Sequence, residues 1–185
     1  MICLRELKEK DAPFMLEWMH DPETQKYFQK SFLSMSISDA EDFCKNNKIS
    51  ENLDDGQSLH FAIVDANDEY LGTISLKHFD NENKTAEYAI CLRKQARGKG
   101  CALFATNEIL KIAFYNHGLH KVYLNALSYN EKAINLYKRC GFIYEGTARD
   151  HVLINGKYES LDWYSILAEE YIKGVYGKDH AESAR

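Results

Sequence analysis

Two stretches of this sequence hold residue types at spacings that can do chemistry. In RKQARGKGCA (93–102) a β-like run enters a glycine turn and leaves as a helix. Backbone N–H groups from about Gly98 to Ala102 then sit at a helix N-terminus with no intrahelical acceptor, which is an anion cradle. Gly98 and Gly100 carry no Cβ to hold a phosphate off the backbone, and Arg93, Lys94, Arg97 and Lys99 add local positive charge. The turn is neither GxxxxGK[ST] nor GxGxxG, so a Walker loop and the dinucleotide fingerprint are both excluded. In NEKAINLYKRCGF (130–142), Asn130 and Tyr137 are seven residues apart and fall on one helix face. Asn130 is also a good N-cap. The Tyr137 phenol, with a reference pKa of about 10, is a proton donor at neutral pH; its bland alternative is a half-buried aromatic. A third candidate is Glu87, a carboxylate inside the apolar run TAEYAICL, where desolvation raises its pKa toward that of a useful base. Pairing with a nearby base or amide is the equally open alternative. His60, His78 and His120 have no spacing that singles one out.

These groups need a scaffold, and the remaining pattern supplies one. ICLREL alternates as a strand, and Asp11 is placed to N-cap a helix with Pro13 in its first turn, carrying Phe14, Met15, Leu16, Trp18 and Met19. A second helix starts after Ser36 or Ser38 and holds Ala40, Phe43 and Cys44. SENLDDGQS reads as a loop; HFAIVD and YLGTISLKHF form a hairpin through Asn67-Asp68, and TAEYAICL is the next strand. The helix after RGKGC ends near Gly118, KVYLNAL is a strand, the helix of NEKAINLYKRCG closes at Gly141, and the last hairpin turns at Asn155-Gly156. The sum is an α+β sheet, mostly antiparallel, with one strand-helix-strand crossover in its middle.

The bulk properties narrow the function. The 185 residues, 45% hydrophobic, suit a single domain over 1–176 with a polar tail at 177–185. A net charge of −5 without long single-sign blocks gives no global field for nucleic acid or an anionic membrane. Five scattered cysteines form neither a CxxC pair nor a zinc cluster, which predicts reduced thiols, a cytoplasmic setting and no metal. The charged start and the lack of a long apolar run predict neither a secretory signal nor a membrane span.

With both motifs in place, the chain resembles the GNAT superfamily of N-acetyltransferases over roughly Leu4 to Ile166, most strongly from Thr85 to Phe142. Its pyrophosphate turn, Arg/Gln-x-x-Gly-x-Gly/Ala, is met by Arg97, Gly100 and Ala102. Its later segment is met by Asn130, Ala133, Leu136, Tyr137, Gly141 and Phe142. LHKVYLNAL, LYKRCGF and INGKYESLDWYSIL are similar to the branch holding ribosomal-protein N-terminal and spermidine N-acetyltransferases. The resemblance implies a mixed, mostly antiparallel sheet of six to seven strands, splayed at the acetyl-CoA site and flanked by about four helices.

It further implies that backbone groups of Ile90, Cys91 and Leu92 bind the pantetheine arm. Arg97, Gly98, Lys99, Gly100, Cys101, Ala102 and Leu103 hold the pyrophosphate, and Asn130 and Ala133 lie beside the arm. Tyr137 protonates the departing thiolate and Glu87 serves the amine as base, directly or through water. Transfer is direct, so Cys101 and Cys140 are not expected to carry the acetyl group. The acceptor is gripped by roughly Trp18 to Ser50 and Thr147 to Tyr158. There Asp21, Glu23, Asp39, Glu41 and Asp42 are interrupted by Lys26, Lys30, Lys45 and Lys48, less acidic than a polyamine demands. Trp18, Tyr27, Phe28 and Phe32 suit several acceptors. A protein or peptide N-terminal amine therefore ranks first, a small amine (polyamine or amino sugar) second, and a silent CoA-binding module third. The aromatic last hairpin suits a homodimer.

Overall fold

The computed structural model describes residues 1–50 and 53–174. The tail expected at 177–185 and the start of the SENLDDGQS loop fall outside the described residues. The strands are β1 (Cys3–Glu6), β2 (Leu59–Val64), β3 (Tyr70–Asp80), β4 (Thr85–Leu92), β5 (Lys121–Leu127), β6 (Ile143–Ile154) and β7 (Lys157–Leu167). They form one sheet in the order β1-β2-β3-β4-β5-β7-β6, antiparallel except for β4 beside β5. The helices are α1 (Ala12–Met19), α2 (Pro22–Gln25), α3 (Ile37–Asn46), α4 (Cys101–Lys111), α5 (Glu131–Arg139) and α6 (168–174), with a wide π turn at Ile112–Asn116 after α4. The four-residue α2, too short to show a periodic pattern, and α6 come in addition to the four helices expected.

Strand alternation divides the core between the two sheet faces. On one face Ile74, Leu76, Ala86 and Tyr88 pack with Ala105, Ile109 and Leu110 of α4 and Ile134 and Tyr137 of α5. On the other, Ala62 and Val64 pack with Met15, Trp18 and Met19 of α1 and Ala40 and Cys44 of α3. Ser36 caps α3 through Asp39, as the sequence predicts. Asp11 does not cap α1: its carboxylate lies buried against the Arg5 guanidinium and the Lys8 N–H. The buried charge takes the cation in preference to an orphan helix N–H.

Gly72, opposite Leu92, is required sterically. A Cβ there would lie 2.3 Å from the Cys91 carbonyl oxygen, so only glycine lets β3 and β4 close where β4 nears its end.

Candidate active site

β4 and β5 pair only at Thr85↔Lys121, Ala86↔Val122 and Glu87↔Tyr123. Beyond that last rung β4 continues to Leu92 and β5 to Leu127, so their facing edges diverge and a gap opens in the middle of the sheet. Ile90, Cys91 and Leu92 pair with Ile74, Thr73 and Gly72 on their other side, leaving main-chain groups along the gap for an extended ligand.

The glycine turn sits at the wide end of the gap. Gly98 and Gly100 have φ of +74° and +79°, and a Cβ on either would meet nothing within 4 Å. Gly100 occupies the N-cap of α4, and its carbonyl accepts the Phe104 N–H. Among the described residues no acceptor meets the N–H groups of Gly98, Lys99, Gly100, Cys101 and Ala102. Open space before free N–H groups at the positive end of an eleven-residue helix fits a pyrophosphate. Gly100→Val should strain the left-handed backbone and fill the cradle, raising the acetyl-CoA KM about tenfold or more while the acceptor KM stays constant. An unchanged acetyl-CoA KM in initial-rate kinetics would remove the turn from the site.

The basic residues around the cradle divide into two groups. Lys94 and Lys99 are exposed. Arg93 is not a cradle base, contrary to the sequence reading: it is 4% exposed, paired with Glu17 and Glu69, bonded to the Tyr70 carbonyl and stacked on Phe14. It fastens α1 to the sheet. Arg97 folds back, donating to the Leu92 carbonyl at 3.1 and 2.9 Å and to Thr24 Oγ1 at 2.7 Å, with Asp21 at 3.8 Å. The Thr24 hydroxyl holds the Asp21 carboxyl below its usual pKa, with the Glu23 N–H and the charge of Arg97 adding to it. An open cavity of about 330 Å³ beside these groups is lined by Glu17, Trp18, His20, Asp21 and Lys94. It lies on the α1–α2 side of the cradle.

Tyr137 enters from the α4–α5 face. Its ring is wedged against Tyr88, Phe142 and Tyr164, with centroids 5.8, 6.0 and 6.4 Å away. Helix termination fixes its backbone: Gly141 turns to φ +91° and the Phe142 N–H bonds back to the Tyr137 carbonyl at 3.0 Å. Among the described residues its hydroxyl has no hydrogen-bond partner. Burial pushes the phenol pKa above its ordinary value, and neighbouring Cys91 and Cys140 push it further. Asn130 caps α5 by accepting the Ala133 N–H at 3.3 Å, the bland role the sequence left open for it, which leaves its amide N–H groups available. Ala133 packs partly buried against the core. Cys101 and Cys140 are buried beside the motifs, and all five thiols are free.

Glu87 stands on the opposite face at the last rung before the gap. Lys77 Nζ donates to its Oε1 at 2.8 Å, and His78 Nε2 is 3.8 Å from its Oε2. Simple alternation would send Lys77 and His78 to opposite faces. A register shift between Lys77 and Asp80, with His78 at φ +51°, brings both onto Glu87, and no sequence signal announces it. His60, by contrast, is bonded to Ser75, and burial lowers its pKa to about 4, with the charge of Lys77 contributing. Among the described residues no group of three or more His, Cys, Asp or Glu side chains could hold a metal ion, and no helix is long and apolar enough to cross a membrane.

A gapped sheet with an anion cradle at one end and a phenol at its edge defines an acyltransferase that draws its acyl group from a CoA thioester. Residues 1–143 match the acetyltransferase (GNAT) domain family. A spermidine N(1)-acetyltransferase of Vibrio cholerae serotype O1 is 31% identical over 123 residues, 66% of this chain and 71% of that protein. A putative ribosomal N-acetyltransferase of Bacillus subtilis is 36% identical over 100 residues, 54% of this chain and 55% of that protein. Among solved structures, the V. cholerae spermidine N-acetyltransferase in complex with CoA and spermine superimposes with a TM-score of 0.81 at 27% identity, covering 92% of this chain and 98% of the other. The chain belongs to the GNAT acetyltransferase family and is an acetyl-CoA-dependent N-acetyltransferase.

Proposed function

We propose that the acceptor is a polyamine of the spermidine type, acetylated on a primary amine with Tyr137 as general acid and Glu87 as base. The observation that carries the chemistry is the placement of the two groups. A phenol with no hydrogen-bond partner among the described residues enters from one face of the splayed sheet, and a carboxylate marks the last paired rung on the other. Glu87 would take the ammonium proton, the freed nitrogen would attack the thioester carbonyl, and Tyr137 would protonate the sulfur as the C–S bond breaks. Atoms of Ile90–Leu92, Arg97–Leu103, Asn130 and Ala133 would hold the CoA portion.

The acceptor ranking read from the sequence changes here. A peptide N-terminus stood first because the first two helices mix charges. On the sheet face, Glu87, Tyr123 and Ser165 share one row. Trp163 stacks on Tyr123 at 6.1 Å, and Glu145 accepts from Ser165 and Lys121. Aromatic faces with Glu87 in the row and Glu145 beside it suit a flexible polycation, which would take the places of Lys77 and Lys121 on the two carboxylates. Relatives named as spermidine acetyltransferases, from V. cholerae and Escherichia coli, support the same choice.

The test is thiol release from acetyl-CoA with spermidine, spermine, N-terminal peptides and amino acids. Polyamines should exceed the other classes at least tenfold in kcat/KM, by the cost of leaving binding groups unpaired. Peptides ahead of polyamines would restore the first ranking.

The assembly belongs to the same reading. Ile143, Tyr144, Leu153 and Tyr158 of the final hairpin are each at least 50% exposed, and one V. cholerae structure is described as dodecameric. A light-scattering mass of at least twice 21.4 kDa is expected, and a strict monomer would end this part of the proposal. The free thiols and the acetyl donor suit a cytoplasmic enzyme.

A further inference from the structure

The bulge in β3 does more than supply partners to a carboxylate. Lys77 is itself a primary amine, the same functional group as the proposed acceptor, and its Nζ sits 2.8 Å from the oxygen of the carboxylate that would deprotonate that acceptor. Lys77 lies directly across from Glu87, and Glu87 directly across from Tyr123, on the last rung before the gap. The Lys77 side chain is 29% exposed and that of Glu87 21%, so the pair is neither sealed in the core nor adrift in solvent. The other described lysines with a carboxylate partner, such as Lys121 on Glu145 and Lys111 on Glu108, find it away from β4. The groups that face Glu87 are Lys77 and His78 from β3 and the Tyr123 phenol from β5. The backbone carries a strained residue here, His78 at φ +51°, and strain of this kind persists where the surroundings enforce it.

We propose that Lys77 is a self-acetylation site: in the absence of an external amine, the enzyme transfers the acetyl group to its own Lys77 Nζ. The inference rests on the reading of Glu87 as base and Tyr137 as acid. Glu87 takes one proton from the Lys77 ammonium, and the freed lone pair forms the C–N bond to the acetyl carbonyl carbon. The C–S bond breaks, its electron pair stays on sulfur, and the sulfur takes the Tyr137 proton. The second nitrogen proton returns to the Tyr137 phenolate through water. The net products are Nε-acetyl-Lys77, CoA thiol and one proton, which Glu87 gives up to solvent. The modification has a consequence for the acceptor. An acetylated Lys77 is neutral, so Glu87 loses its resident ammonium and is left to an incoming one; acetylated enzyme should show a lower acceptor KM than the unmodified form.

The experiment incubates the full chain with acetyl-CoA alone and follows the Lys77 peptide by mass spectrometry. Acetyl should accumulate on Lys77 about tenfold or more faster than on exposed Lys84 and Lys138, as expected of a positioned amine. The rate constant should be independent of protein concentration and should fall in Tyr137→Phe. Lys77 modified no faster than Lys84 and Lys138, or equally fast in Tyr137→Phe, would overturn self-acetylation. Turnover of spermidine and of the other amines on the same preparation keeps the two readings apart. Turnover of any of them without acetyl-Lys77 rejects this inference alone, whereas silence toward all of them together with no acetyl-Lys77 rejects the proposed function on which it rests.

Discussion

Tyr137→Phe should lower kcat by about 10²-fold or more with acetyl-CoA affinity nearly unchanged. The substitution is clean because the hydroxyl has no hydrogen-bond partner among the described residues, while the ring keeps its packing against Tyr88, Phe142 and Tyr164. Folding stability should therefore stay near that of the parent, and the loss reports on chemistry. The sign of the pKa shift matters as well. Burial raises the phenol pKa, so the donor stays protonated across the working range and contributes no basic limb to the rate below about pH 10. Glu87→Gln should lower kcat in its turn, by removing the group that takes the amine proton. Initial rates under saturating acetyl-CoA, with affinity from calorimetry, separate the contributions. A kcat within twofold of the parent would show that the thiolate leaves without help from Tyr137.

What could be read in advance followed from local periodicity. TAEYAICL and KVYLNAL appear as strands with the ends expected, β4 and β5, because each is a short, largely apolar run bounded by polar residues. The hairpin turns at Asn155 and Gly156 with φ of +50° and +80°, the backbone that this pair favours. Asn130 and Tyr137 share a face because seven residues make close to two turns. What escaped depends on partners distant in sequence. Arg93 stands among the bases of the cradle motif, yet its carboxylates come from Glu17 and Glu69 on other elements, and packing draws it inward. Glu87 read as a lone carboxylate in an apolar strand because alternation hides a bulge that turns two consecutive side chains to one face. The splay itself is a difference in pairing length between two strands, which neither strand's composition records.

Arg5→Met should destabilise the protein by about 3–5 kcal/mol. The Arg5 guanidinium grips both oxygens of Asp11, Nη1 to Oδ2 at 2.7 Å and Nη2 to Oδ1 at 2.8 Å, and reaches Asp68 as well. Asp11 is 1% exposed, so without Arg5 its carboxylate keeps only the Lys8 N–H and stays dehydrated beside the apolar cluster of α1 and α3. The reverse replacement, Asp11→Asn, should cost less, because Arg5 retains Asp68 and partial access to water. The decisive variant is the double one, Arg5→Met with Asp11→Leu, which removes both charges and should recover most of the loss, since an apolar pair of similar volume replaces a buried ion pair at little cost. Urea midpoints and melting temperatures measure all three; the single variant should melt roughly 10 °C below the parent for a chain of this length. A double variant as unstable as Arg5→Met would mean that geometry, not an uncompensated charge, sets the cost. Because Asp11 closes the turn from which α1 departs, and α1 and α3 line the sheet face that carries Glu87, the same variant should raise the acceptor KM before it changes that for acetyl-CoA, whose cradle stands on the β4–α4 turn.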